Sequence, residues 1–204
     1  LRSMTRILLV RHGQSVWNAE GRWQGQADIE LSDLGRSQAR AAAGSLGSFD
    51  LIAASTLSRA AETAHIISTK LGIGPVIPIP ALIERSAGEW SGLNRIEIDE
   101  QYPGYLEADK RPPGYEDDDA LWARVKVGLA EVTEMLGHDD EALVIAHGGI
   151  IYMLEERQGG SRGRISNLGA LWLNVDSSGD ITIGERVDLV SDASLASAQA
   201  SDIL

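Results

Sequence analysis

The sequence predicts an α/β fold organised on an open sheet whose central strands are buried on both faces, and two observations predict it. Ile7-Leu8-Leu9-Val10 is an aliphatic run without Gly or Pro, too short for a helix, which reads as a doubly buried strand. Ala142-Leu143-Val144-Ile145-Ala146 repeats the recipe, and both runs stop at a His-Gly pair, His12-Gly13 and His147-Gly148. In open α/β sheets ligands bind at the carboxyl ends of the strands. If the two strands are neighbours, both imidazoles stand at one crevice.

Each element follows from local chemistry. After Arg11-His12-Gly13 comes a polar, Gly-punctuated segment, residues 14–28, that carries Trp17 and Trp23; such loops hold binding residues on a rigid frame. Ser32 suits a helix N-cap. Ala39, Ala42, Ala43 and Leu46 mark one buried helix face, and Gly47 is the expected stop. Leu51-Ile52-Ala53-Ala54 is a second short buried strand, with Ser55 and Thr56 as cap candidates for the helix behind it. That helix packs through Ala60, Ala64, Ile67 and Leu71 and ends at Gly72. Arg59 falls in its first turn, just past a strand end. It therefore points to the rim that His12 occupies, where free N–H groups and the helix dipole add positive field. His65 is expected to be structural or exposed, and His138, in an acidic turn, solvent-facing.

Pro75-Val76-Ile77-Pro78-Ile79-Pro80 reads as an edge strand, where proline is tolerated. It leads into Ala81-Leu82-Ile83, taken as a strand, and then Glu84 and Arg85. Spacing alone does not separate a surface carboxylate from a positioned acid. Residues 95–101 fit a short helix, and Tyr102-Pro103-Gly104 and Arg111-Pro112-Pro113-Gly114 bracket an irregular rim or lid. Asp117, Asp118 and Asp119 crowd the start of a long helix, where the dipole favours negative charge, so capping explains them better than a metal site. That helix buries Leu121, Val125, Leu129, Val132 and Leu136 and closes at Gly137. A helix over 150–156, a Gly-rich loop over 159–163 and a closing hairpin of 170–175 with 181–183 complete the chain. The small, polar tail, residues 191–204, is read as either loose or draped over the site. No linker or further repeat divides the sequence, so residues 4–204 are expected to form one domain, with Leu1-Arg2-Ser3 ahead of Met4 read as a cloning remnant.

Composition bounds the function. Hydrophobic residues make up 43% and charged residues 24%, ordinary for a soluble globular chain. No apolar run approaches the ~20 residues that span a bilayer, so no membrane association is expected. With no cysteine there is no disulfide or thiol chemistry, which fits the cytoplasm. Thirty acidic against 18 basic residues give a net charge of -12, which speaks against nucleic acid as a partner. That field also repels an anionic substrate, so an anion would need a local basic pocket. The sequence leaves homo-oligomerisation open.

The residues aimed at the rim are Arg11, His12, Arg59 and His147, with Glu84 as a candidate. Two guanidiniums and two imidazoles suit a tetrahedral phosphoryl dianion, whose equatorial oxygens arginine forks clamp. One imidazole can attack phosphorus and form a phosphohistidine, the other can hydrogen-bond the transferring group, and a carboxylic acid can protonate the leaving alkoxide and then activate water. A zinc site is disfavoured because two arginines would repel the cation. An NTPase lacks its P-loop and a serine hydrolase its Gly-x-Ser-x-Gly elbow. No metal and no cofactor are expected.

Arg11-His12-Gly13-Gln14-Ser15 resembles the signature of the histidine phosphatase superfamily, also called phosphoglycerate mutase-like. The resemblance continues through Asn18, Arg22-x-Gln24-Gly25, Leu31-Ser32-x-x-Gly35, Ser55 with Arg59-Ala60, Glu84 with Gly88-x-Trp90-x-Gly92, and Ala146-His147-Gly148. It implies a three-layer α/β/α sandwich with a mostly parallel central sheet and metal-independent phosphomonoester hydrolysis. It makes His12 the phosphorylated nucleophile, Arg11, Arg59 and His147 the phosphate pocket, and Glu84 the proton donor. Asn18 and Gln24 become further contacts, with Gly25, Arg85 and Gly148 beside them at the substrate. The expected substrate is a small phosphorylated metabolite, such as a phosphoglycerate or sugar-phosphate derivative. Two departures stand out. Pro113-Gly114-Tyr115-Glu116-Asp117 replaces the family's Pro-x-Gly-Gly-Glu-Ser, which changes the rim. The segment between Glu84 and the long helix is also short, lacking the basic insertion of the cofactor-dependent mutases, which favours hydrolysis over mutase action. A non-catalytic phospho-ligand module is a third reading, against which a proton donor at Glu84 argues. The tail over 196–204 is similar to the end of members of the phosphatase branch of that superfamily.

Overall fold

The computed structural model describes residues 4–137 and 139–195. The expectations for His138 and for the tail from 196 onward lie outside the described residues. Among the described residues, no helix is long and apolar enough to cross a membrane.

β1 (Met4–Arg11) leads to a one-turn helix, α1 (Val16–Ala19), and then α2 (Asp33–Ala43), β2 (Leu51–Ala54) and α3 (Ser58–Leu71). β3 (Val76–Pro78), α4 (Arg95–Gln101), α5 (Asp118–Glu134), β4 (Glu141–Ala146) and α6 (Gly148–Arg157) follow, and the hairpin β5 (Gly169–Asp176) and β6 (Ile181–Asp188) closes the chain. The six strands form one sheet in the order β3-β2-β4-β1-β5-β6. The pairings from β3 to β1 are parallel, and those of β5 with β1 and of β6 with β5 are antiparallel.

Side chains alternate across this sheet, as the period of two requires. Ile7, Leu9, Ala142 and Val144 pack under Leu121, Val125 and Leu129 of α5 and Ile151 and Leu154 of α6. Leu8, Val10, Leu143 and Ile145 pack on the other face with Ala60, Ala64 and Ile67 of α3 and Ala42 of α2. Two helical layers therefore cover one sheet, which is why its central strands read as continuous apolar runs. The proline-bearing β3 sits at the edge, as the sequence predicts.

Ser32 caps α2, its hydroxyl accepting from Gly35 N–H, and Asp117 caps α5 by accepting from Ala120 N–H. Four local expectations are corrected. α2 ends at Ala43, before Gly47, because Ser45 and Leu46 N–H turn back to the carbonyls of Ala42 and Ala43; this tighter turn keeps Leu46 against the core without helix. Ser55 and Thr56 do not cap α3, whose N-cap is Leu57 with no side-chain bond, because the Ser55 hydroxyl faces His147. Ala81-Leu82-Ile83 is no strand: Pro80–Leu82 is a single 3-10 turn, begun by a proline that has no N–H for a ladder. The helix after β4 begins at Gly148, two residues before the expected start, so His147 is its N-cap.

Candidate active site

Parallel register carries the site. β1 and β4 pair with Arg11 opposite Ala146, so His12 and His147 are the next residues out of adjacent strands. Their rings meet edge to face with centroids 5.3 Å apart, and both side chains are buried. β2 pairs with β4 on the other side, and Ser55 N–H donates to the Ile145 carbonyl, which brings Ser55 beside His147. Arg59 follows from the first turn of α3.

The polar atoms fix the tautomers. His12 Nδ1 lies 2.6 Å from the Gly13 carbonyl, which can only accept, so Nδ1 carries the hydrogen. Its Nε2 lone pair then faces Arg59 Nε at 3.2 Å. His147 Nε2 lies 2.7 Å from the Ser55 hydroxyl, while its Nδ1 is buried without a hydrogen-bond partner among the described residues. A buried polar atom without a partner is costly and marks a place for a ligand. A Ser55 hydroxyl donating to Nε2 leaves Nδ1–H free to donate to an anion. Burial, with Arg59 and Arg11 close by, holds the His12 pKa well below the ordinary imidazole value. Burial, Arg59 and the neighbouring His12 do the same to His147. Both rings are therefore neutral in the folded protein.

The two guanidiniums are held by carbonyls. Arg59 donates to the Ala27 and Gly25 carbonyls at 2.8 Å each, and Arg11 to the Ile165 carbonyl at 2.6 Å. Gly25 adopts φ 51°, and a Cβ there would meet Ala87 N at 2.6 Å, so no side chain fits the turn that presents this carbonyl. Burial lowers the pKa of both arginines, with Glu84 acting against it at each. Neither loses its charge, because a guanidinium stays protonated in proteins.

Glu84 reaches the same cavity from the irregular segment after β3. Its carboxylate accepts from Arg85 N–H at 2.7 Å and from Gly149 N–H, in the first turn of α6, at 3.1 Å. A Cβ at residue 149 would stand 2.3 Å from Glu84 Oε1, so glycine is what lets the carboxylate reach the helix. Arg124, on α5, donates to the carbonyls of Ala81, Ile83 and Glu84 and binds Glu116 through both of its oxygens. Burial pushes Glu116 upward, but hydrogen bonds from Arg124 and its charge take the carboxyl below its usual range. This staple orients Glu84.

Around these groups opens a cavity of about 1120 Å³, bordered by Arg11, His12, Arg59, Glu84, Gly148 and Gly149 at its floor. Asn18, Gln24, Gly25 and Arg85 border it too. Asn18 Oδ1 accepts from Ser15 N–H and Gln24 Oε1 from the Ser15 hydroxyl, so each turns its amide hydrogens elsewhere. Arg85 is engaged with Asp118 at 2.5 Å and with the Glu116 carbonyl. Trp23 borders the cavity, whereas Trp17 packs over Gly92. Of the residues assigned to the site from the sequence, all but His147 border this cavity; His147 is fully buried, its ring packed edge to face against that of His12. The sequence reading missed the Ser55–His147 bond, the Arg124 staple, and Asn167, whose amide donates to the His12 carbonyl. An arginine on the apolar face of α5, between Leu121 and Val125, was the one available signal.

Residues 7–162 match the family model described as histidine phosphatase superfamily, branch 1. The chain belongs to that superfamily. It is 38% identical over 169 residues to the glucosyl-3-phosphoglycerate phosphatase of Mycolicibacterium vanbaalenii, covering 73% of this chain and 72% of that one. It is 34% identical over 177 residues to a metal-independent phosphoserine phosphatase of Arabidopsis thaliana, covering 80% and 74%. Among solved structures, a mycobacterial glucosyl-3-phosphoglycerate phosphatase in complex with VO3 superposes with TM-score 0.78 at 31% identity, covering 88% of this chain and 97% of that one. Both of these sequence relatives are named as phosphatases, one of glucosyl-3-phosphoglycerate and one of phosphoserine.

Proposed function

We propose that the protein hydrolyses a phosphomonoester through a phosphohistidine on His12, without metal. The observation that carries this reading is the fixed tautomer of His12: with Nδ1–H held by the Gly13 carbonyl, Nε2 is the unprotonated nitrogen at the cavity floor, where it accepts from Arg59 Nε until a phosphoryl group takes that donor. Nε2 attacks phosphorus in line with the ester oxygen. Arg11, Arg59 and His147 Nδ1–H bind the equatorial oxygens, where charge concentrates in the transition state. Glu84, as the carboxylic acid, gives its proton to the departing alkoxide. As carboxylate it then takes a proton from the water that attacks the phosphohistidine, releasing phosphate and restoring the free imidazole. Asn18 and Gln24 offer amide hydrogens at the same floor.

The substrate is a small metabolite, and a phosphoglycerate or sugar-phosphate derivative suits a cavity this much larger than a phosphoryl group. The relatives named for glucosyl-3-phosphoglycerate and phosphoserine support that choice. A cytoplasmic setting fits the cysteine-free sequence, and residues 4–204 are read as one domain.

The test is hydrolysis of p-nitrophenyl phosphate in EDTA by wild type and His12→Ala. Turnover that persists in chelator and falls by at least ~10³-fold in the variant is the expected result. Equal turnover in both proteins removes His12 as nucleophile.

A further inference from the structure

Five arginines besides Arg59 border the active-site cavity, and they differ in what holds them. Arg22 is paired with Glu97 at 2.8 Å and Glu20 at 3.1 Å, Arg85 with Asp118 at 2.5 Å, and Arg111 with Asp109 at 2.7 Å. Arg11 donates to a carbonyl and belongs to the phosphoryl floor. The fifth is Arg164, in the loop between α6 and β5. Among the described residues its side chain has no hydrogen bond and no ion pair, although its backbone is fixed on both sides.

That backbone is fixed by unusual means. Glu155 is fully buried on α6 and binds Arg186 of β6 through two hydrogen bonds of 2.6 Å. Arg186 also donates to the carbonyls of Gly163 and Arg164 at 2.9 and 3.2 Å. One residue on, Ile165 N–H donates to the Tyr152 hydroxyl at 3.1 Å and the Ile165 carbonyl accepts from Arg11. A buried ion pair is weak evidence for stability, and its better-attested use is to hold a geometry. Here it holds an exposed loop so that its arginine stands next to Arg11. Arg11 is tied to the carbonyl of the very next residue, Ile165, and the two arginines border the active-site cavity together. Arg164 also borders a smaller cavity of about 490 Å³ behind β5 and β6.

Resting on the phosphatase reading, we propose that Arg164 is the specificity contact for a carboxylate carried by the leaving alcohol, a few bonds from the phosphoester oxygen. Its charge argues for a monoanion. The phosphoryl dianion takes the two floor arginines, and a second dianion would meet one free cation among Glu84, Asp117, Asp118 and Glu156, which border the same cavity. A carboxylate matches a single guanidinium fork. Fixing the loop beforehand lowers the ordering cost of the contact.

The test compares 3-phosphoglycerate with glycerol 1-phosphate, which differ by a carboxylate in place of a hydroxymethyl group. Wild type, Arg164→Gln, Arg164→Lys and Arg162→Gln are assayed for kcat/KM on each. Arg162 is the control, since it donates to the Gly184 carbonyl and does not border the cavity. The expected result is a wild-type preference for 3-phosphoglycerate that falls about ten- to a hundredfold in Arg164→Gln, mainly through KM. Arg164→Lys restores part of it and Arg162→Gln keeps it. A wild type without that preference, or an Arg164→Gln loss equal on both substrates, overturns the proposal while hydrolysis of p-nitrophenyl phosphate leaves the phosphatase reading standing. Failure of wild type to hydrolyse any of the three esters overturns both.

Discussion

Arg11 and Arg59, at the cavity floor, donate to backbone carbonyls and an imidazole, whereas Arg22, Arg85 and Arg111, at the rim, are each closed against a carboxylate. The same side chain therefore does two different jobs within one cavity. A carbonyl positions a guanidinium without cancelling its charge, so the floor keeps full positive potential in a chain of net charge -12. A carboxylate cancels it, so the rim offers shape and hydrogen bonds with little net attraction. The floor is also built on strand ends and a helix start, while the rim arginines sit in irregular segments, Arg22 after α1, Arg85 after the 3-10 turn at Pro80–Leu82 and Arg111 between α4 and α5. Where charge is left over is thus where the reacting anion must sit.

The largest effect is expected from replacing a floor arginine. Arg59→Lys keeps the charge but loses the fork that bonds His12 Nε2, Ala27 and Gly25 together. A fall of about 10²-fold or more in kcat on p-nitrophenyl phosphate is expected. A loss below threefold would mean the floor needs only a positive charge, and the contrast with the rim would lose its geometric half.

Next comes pH. His12 and His147 are held well below the ordinary imidazole value by burial and by cations. As pH falls through about 6.5, the unfolded chain protonates these histidines while the folded one does not. The folded state then loses up to about 1.4 kcal/mol per pH unit for each histidine. His12, the proposed nucleophile, stays neutral over the same range. Phosphatase kcat/KM is therefore expected to hold through pH 6.5 downward while the melting temperature drops, and an acid limb at 6.5 in the rate profile would contradict a neutral floor. The smallest effect belongs to the rim: Asp118→Asn frees Arg85 but removes only an exposed partner. A change of about threefold or less in kcat/KM on p-nitrophenyl phosphate is expected. A tenfold change would place the Arg85–Asp118 pair in the chemistry and erase the comparison.

Much of this was legible in the residues. The doubly buried runs at Ile7 and Ala142 announce parallel central strands, because only strands covered on both faces can be apolar at every position. Ser32 and Asp117 announce helix starts by their side-chain acceptors, and the His-Gly endings at residues 12 and 147 mark the sheet's rim. Glu84 was legible only through the family pattern, since what fixes it is remote: Arg124 lies 40 residues away on α5 and Gly149 lies 65 residues away. Ser55 looked like a helix cap because its local sequence suits one. Its true partner, His147, is 92 residues distant.

By itself the sequence determined the buried strands β1, β2 and β4 and the helices that cover them, and that two imidazoles and two guanidiniums terminate or follow those strands. Periodicity and capping are local, so they are written in neighbouring residues. Tertiary structure alone decided that β1 and β4 pair with Arg11 opposite Ala146, that Arg59 is held by carbonyls while Arg85 is paired with Asp118, and that the Arg164 side chain has no hydrogen bond or ion pair among the described residues. These are matters of register and of long-range partners, where one residue of slip would turn His12 away from His147 and no local pattern carries the information.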